Sequence, residues 1–282
     1  MIATKPVADF IEEAMRVVEL AEKRGMMLRV MGACAVRLHC PEYEYLRKEL
    51  GRELSDLDFV SYDASKPKME KFFEQIGYKP RKYITSEWAY ATGAARRRHI
   101  YDDMENRRVT DVFFDKLEMC HTIDFRGRLE LDYPTITLAD LLLTKMQIVK
   151  LTEKDVKDVI ILLREHEVGE KDEGTVNAKY LAKLLSRDWG FCYTITRNLN
   201  RVKKLLSQYE ALTEKDREDL TAKINRLLQA IEKEPKSLRW KMRAEVGTRK
   251  KWYTEVGEAV LSGAPLDYGS PGEIHSQDLQ PS

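Results

Sequence analysis

The chain lacks a charge bias: 48 Lys and Arg stand against 47 Asp and Glu, a net charge of +1. That balance excludes a uniformly basic nucleic-acid coat and an acidic disordered chain, while leaving room for local patches. Cysteine is scarce, with only Cys34, Cys40, Cys120 and Cys192 in 282 residues. Four scattered thiols make no disulfide framework, so a cytoplasmic protein with reduced cysteines is expected. No apolar run approaches the ~20 residues of a bilayer-spanning helix, and no membrane partner is expected. The first residues carry neither the apolar stretch nor the cleavage site of an export signal. No internal repeat is visible. What the chain does have is 43% hydrophobic residues and 34% charged ones, enough to bury a core and, at this length, about two domains.

Apolar spacing predicts a helix over 7–24, a short strand over 27–31, and a helix from Ala33 to His39 that ends before Pro41. Leu57 to Tyr62 reads as a second strand and Lys66 to Ile76 as another helix. Between 78 and 135 the pattern is strand-like, over Arg97–Tyr101, Arg108–Phe114, Cys120–Phe125 and Leu129–Leu131. From Thr137 the spacing turns helical, near 137–150, 153–166, 175–186, 191–207, 213–233 and 236–258. Three parts follow: a mixed α/β part over 1–135, a helical part over 136–260, and a tail over 261–282 with neither Lys nor Arg.

The segment richest in chemistry is Gly32-Ala33-Cys34-Ala35-Val36-Arg37-Leu38-His39, followed by Ser55-Asp56-Leu57-Asp58-Phe59-Val60. Strand side chains alternate, so Asp56 and Asp58 share one face, with Leu57 and Phe59 on the other. Two carboxylates about 7 Å apart with no cation between them repel, and a hard divalent ion such as Mg²⁺ relieves the repulsion. Glycine at a strand-to-helix junction lets a phosphate approach the backbone, where the helix start offers unpaired N–H groups. A lone Asp-x-Asp is usually solvated surface. The preceding strand, glycine and helix are what make it specific.

This order resembles the DNA polymerase β-like nucleotidyltransferase superfamily, whose signature is an apolar strand, a glycine turn, a short helix, then Asp-x-Asp on the next strand. The matching positions are Gly32, Asp56 and Asp58. A third carboxylate on a later strand is best matched by Asp111 in Arg108-Val109-Thr110-Asp111-Val112, with Asp124 as its rival. Leu141-Leu142-Leu143-Thr144-Lys145 and Glu153-Lys154-Asp155-Val156-Lys157-Asp158 look like helical segments of the abortive-infection (AbiEii-like) toxin branch. The resemblance covers about residues 28–165. It implies an α+β fold: a polymerase β-like core, with a mixed sheet flanked by helices, followed by an all-helical domain that completes a cleft. It implies Mg²⁺-dependent transfer of a nucleotide from an NTP such as ATP, with two ions held by Asp56, Asp58 and Asp111. It also implies nucleotide contacts from Gly32, Ala33, Lys145, Lys154 and Asp158. RNA is the leading acceptor by resemblance to toxin–antitoxin enzymes, with a neutralising antitoxin as a possible partner. A small hydroxylated acceptor is the second enzymatic option. The chain departs from the pattern at Ala33, where the family has Gly or Ser, and in the 24-residue spacing from Gly32 to Asp56, which predicts an inserted loop. Ala33 is also the main support for a third option, a degenerate nucleotide-binding or partner-binding module.

Outside that pattern, Arg96-Arg97-Arg98 precedes a strand expected in the same sheet. Arg97 stands as a triphosphate or RNA contact against a solvated basic turn. Residues 236–253 mix seven cations with Trp240, Trp252 and Tyr253. A helix with aromatics packed inward is favoured there over a nucleic-acid surface. His39, Cys34 and Cys40 match no zinc spacing, and Cys120-His121 is similarly weak. Asp124 has Arg126 and Arg128 close enough to satisfy it as an ordinary ion pair.

Overall fold

The computed structural model describes residues 5–81 and 98–256. Arg97 and the tail over 261–282 lie outside the described residues. Strand β1 (Leu28–Met31) runs into helix α2 (Gly32–His39), after helix α1 (Phe10–Glu22). Asp9 caps α1 by accepting from the N–H groups of Ile11 and Glu12. Strand β2 (Asp56–Ser61) follows, then helix α4 (Lys66–Gln75), with helix α3 (Glu44–Glu49) between α2 and β2. The expected inserted loop is therefore partly helical. β3 (Lys79–Pro80), β4 (Arg98–Asp103), β5 (Arg108–Phe114), β6 (Lys116–Glu118) and β7 (Thr122–Asp124) complete the sheet.

The sheet is mixed, in the order β1-β2-β5-β4-β3, with β6 and β7 extending from β5. β1 is antiparallel to β2, β2 is parallel to β5, and β5 is antiparallel to β4. Phe73 of α4 stacks on Tyr101 at 4.1 Å between centroids and meets Phe59 edge-on. Leu57, Phe59, Thr110 and Tyr101 are all buried. The residues alternating with them on β2 are Asp56 and Asp58, both half-buried. The carboxylates thus face away from the aromatic layer, as the alternation requires.

After residue 135 come α5 (Leu138–Met146), α6 (Glu153–Glu165), α7 (Ala178–Leu185), α8 (Trp189–Leu205), α9 (Glu214–Lys233) and α10 (Leu238–Val246). Thr152 with Asp155, and Thr213 with Asp216, form capping boxes at the starts of α6 and α9. Three expectations need correction. The second part is not all helical: β8 (Glu167–Gly169) and β9 (Thr175–Asn177) form a small parallel pair. Leu129–Leu131 is a turn, not a strand, although Leu129 is buried. The helix expected over 236–258 ends at Val246, where Gly247 takes a left-handed φ of +58°. One buried cluster, running from Ala14 to Ile231, joins Val30, Val36 and Leu57 to Leu142, Val159, Leu199 and Leu227. The core therefore does not divide at residue 135.

Candidate functional site

Gly32 ends β1 and opens α2 with φ +68°, a left-handed conformation that favours glycine. A Cβ on Gly32 would overlap Asp58 Oδ2 and stand 3.0 Å from its Cγ. The turn and the carboxylate are therefore in direct apposition. Met31 pairs with Asp58 across β1 and β2, and Asp58 pairs with Asp111 across β2 and β5. Three neighbouring strands thus bring Gly32, Asp58 and Asp111 to one place, with Asp56 two residues from Asp58 on the same face. Ser55 Oγ lies 3.1 Å from Asp56 Oδ1, and the Cys34 thiol donates to the Asp56 carbonyl oxygen at 3.6 Å.

The charges at this place are unequally satisfied. Arg98 grips Asp111 with two parallel hydrogen bonds, Nε to Oδ1 at 2.8 Å and a terminal nitrogen to Oδ2 at 2.7 Å. β4 register explains the grip: Arg98 lies opposite Phe113, which shares a face with Asp111, so the guanidinium reaches its diagonal neighbour. It also lies over the Phe113 ring, 5.4 Å from the centroid. Asp58 accepts no hydrogen bond from the described residues. Burial holds its carboxyl well above the usual carboxylate range, and the charges of Asp56 and Asp111 push the same way. Lys145 and Arg98 oppose that shift without cancelling it. Asp58 is the uncompensated point of the site.

Lys145 is the last-turn cation of α5. Its Nζ stands 2.7 Å from Asp158 and 3.9 Å from Asp155, both on α6. Asp158 is buried and also takes Arg52 Nε at 2.8 Å and a second Arg52 nitrogen at 3.0 Å. Burial disfavours the Lys145 charge, but the two aspartates outweigh it and hold its pKa above the usual value. The partner that sequence reasoning required for an inward lysine is thus a carboxylate pair. Lys145 is near enough to the cluster to stabilise ionised Asp58. Asp158, with both oxygens engaged, positions Lys145 instead of presenting itself to a ligand. Lys154 is exposed in the first turn of α6, and Ala33 is buried in the first turn of α2.

The rival third carboxylate is separate. Asp124 accepts from Arg126 Nε at 2.9 Å and stands 3.9 Å from Lys116, which with Arg126 holds its pKa below the usual range. Arg128, expected to help satisfy Asp124, pairs instead with buried Asp140 and with Asp172. Arg98 and Arg52 were not singled out from sequence. Arg98 was legible in principle, by counting register from Asp111 to Phe113 and across. Arg52 carried no local signal. All four cysteines are buried and free. His39 Nε2 lies 2.6 Å from Thr135 Oγ1 and 3.1 Å from the Ile136 carbonyl, so it is spent on packing.

The donor chemistry suits a hard divalent cation. Asp56 and Asp58 share a face, Asp111 is in register, and the field at Asp58 is uncompensated. Among the described residues, no three Asp, Glu, His or Cys side chains stand ready as a cation cage. The Arg98 grip on both Asp111 oxygens accounts for this. Comparison with protein-family models finds no match to the chain, and comparison with curated proteins finds none either.

Proposed function

We propose that the protein transfers a nucleotide from an NTP to an acceptor hydroxyl, with RNA as the favoured acceptor. The observation that carries this reading is the apposition of the Gly32 turn to Asp58, itself in register with Asp111. Asp56, Asp58 and Asp111 would hold Mg²⁺. The ion supplies neutralisation of the phosphates and of the pyrophosphate leaving group. The Gly32–Ala33 backbone lies where a phosphate can approach the start of α2, and Ala33 keeps the N–H that this requires. Lys145, fixed by Asp155 and Asp158, adds positive potential beside the carboxylates. The acceptor oxygen attacks the α-phosphorus, the bond to the β,γ-bridging pyrophosphate breaks, and the hydroxyl proton leaves to a base or water. A small neutralising protein partner follows from the toxin-like resemblance and belongs to this proposal.

A second reading, a nucleotide-binding module without transfer, is favoured by two observations: the Arg98–Asp111 pair and the absence of a hydroxyl at Ala33. Purified protein incubated with each labelled NTP, Mg²⁺ and total RNA separates the readings. Label in RNA supports the proposal, and label only in a small product moves the acceptor class. NTP binding with no transfer supports the second reading. Asp58→Asn should lower transfer by about 10²-fold or more, as loss of a metal ligand does. The same variant should keep or raise Tm, since it removes a repelled and partly desolvated charge. Wild-type turnover in Asp58→Asn at saturating Mg²⁺ would remove the metal assignment.

A further inference from the structure

We propose that Arg98 is a built-in counter-cation of the carboxylate site, displaced from Asp111 when a divalent ion loads and taken up by the phosphates of the incoming nucleotide. The location rests on the nucleotidyl-transfer reading of Asp56, Asp58 and Asp111. Both oxygens of Asp111 are filled by one guanidinium, at 2.8 and 2.7 Å. A metal ion needs the same lone pairs, so ion and guanidinium compete for one carboxylate. The pair is little exposed, 12% for Arg98 and 9% for Asp111, which makes both partners costly to leave alone. Displaced Arg98 therefore needs a second anion within reach. Its side chain is confined to the carboxylate face by the Phe113 ring beneath it. Described anions near that face, Asp56 and Asp58, are the ones the ion would take. A bound triphosphate supplies the missing anion, and its oxygens suit the bidentate guanidinium. Arg98 is thus a positioning residue that couples the two ligands: ion alone binds poorly, and ion with nucleotide binds well.

The test is Mn²⁺ binding to the full chain, read as free Mn²⁺ by electron paramagnetic resonance, with and without a non-hydrolysable NTP. Arg98→Met should tighten binding of Mn²⁺ alone by about tenfold or more and shrink the tightening that the NTP produces. Adding Asp111→Asn to Arg98→Met should abolish the gain. Arg98→Lys, which keeps charge but not the fork, should fall between. Arg98→Met binding Mn²⁺ no better than wild type overturns the proposal. If Arg98→Met fails to fold, the Arg98 Nε–H resonance of the wild type is decisive. It should shift when Mg²⁺ and NTP are added together, and an unmoved resonance at saturation overturns the proposal. A tenfold gain without nucleotide transfer by any variant leaves the counter-cation standing and removes the transferase reading.

Discussion

Adding one methyl group at Gly32 meets two penalties at once. The φ of +68° costs a non-glycine residue about 1–2 kcal/mol, and the new carbon would collide with the Asp58 carboxylate. Gly32→Ala should therefore lower stability by about 2 kcal/mol or more in urea unfolding and also push Asp58 off its place beside Asp111. Activity should fall further than stability does. A Gly32→Ala protein with wild-type Tm and transfer would show that the turn can relax and that the apposition is incidental. At this scale the sequence was informative wherever one residue type has few structural uses. Gly32 between an apolar strand and a helix, and Asp56-x-Asp58 with apolar residues between, could be placed without any long-range knowledge. Arg98 could not, because three consecutive arginines look alike until the β4 register chooses the one opposite Phe113.

At the scale of elements, periodicity located β1, β2, β5 and most helices because each buries one face. β3 and β6, of two and three residues, are too short for a period to register, and α3 lies in a stretch interrupted by Pro41 and Gly51. β8 and β9 are equally short and sit among helices. The junction of α5 and α6 illustrates what sequence reasoning reached and where it stopped. The helical wheel turned Lys145 inward and demanded a partner, but it could not decide between a ligand and Asp158. The structure supplies Asp158, shared with Arg52. Asp158→Asn would leave two largely buried cations facing one neutral amide, so it should cost about 3–5 kcal/mol. Lys145→Met should cost less, because Asp158 keeps Arg52. Urea midpoints rank the two, and equal losses would mean that Arg52 does not compensate. NTP affinity separates function from stability, since Lys145→Met should weaken NTP binding in proportion to the positive potential it removes.

For the molecule as a whole, the split expected at residue 135 concerns composition more than packing. The helices after it complete the core of the strands before it, through a cluster shared by Val36, Leu57, Leu142 and Val159. His121, just before β7, is one seam between the two parts. Its ring stacks on Phe191 at 4.8 Å, its Nε2 lies 2.8 Å from Thr194 Oγ1, and its N–H donates to the Gln147 side chain. Burial pushes its pKa down to about 4 from the ordinary 6.5. The unfolded chain therefore takes up a proton near pH 6.5, and the folded chain refuses it until about pH 4. Stability falls as pH drops through that window, by on the order of 3 kcal/mol at its foot for this residue. His99, also pushed down to about 4 by burial and secondarily by Lys66, acts in the same direction. Because the core is continuous, the loss should appear as one cooperative transition moving to lower temperature, not as early melting of one part. His121→Phe keeps the stacking and removes the titration. Its Tm relative to wild type should rise steadily from pH 7 to pH 4, with the slope from His99 left in both proteins. A Tm difference that stays constant across that range would show that His121 protonates freely in the folded state. Two separated transitions would show that the parts on either side of residue 135 unfold independently despite their shared core.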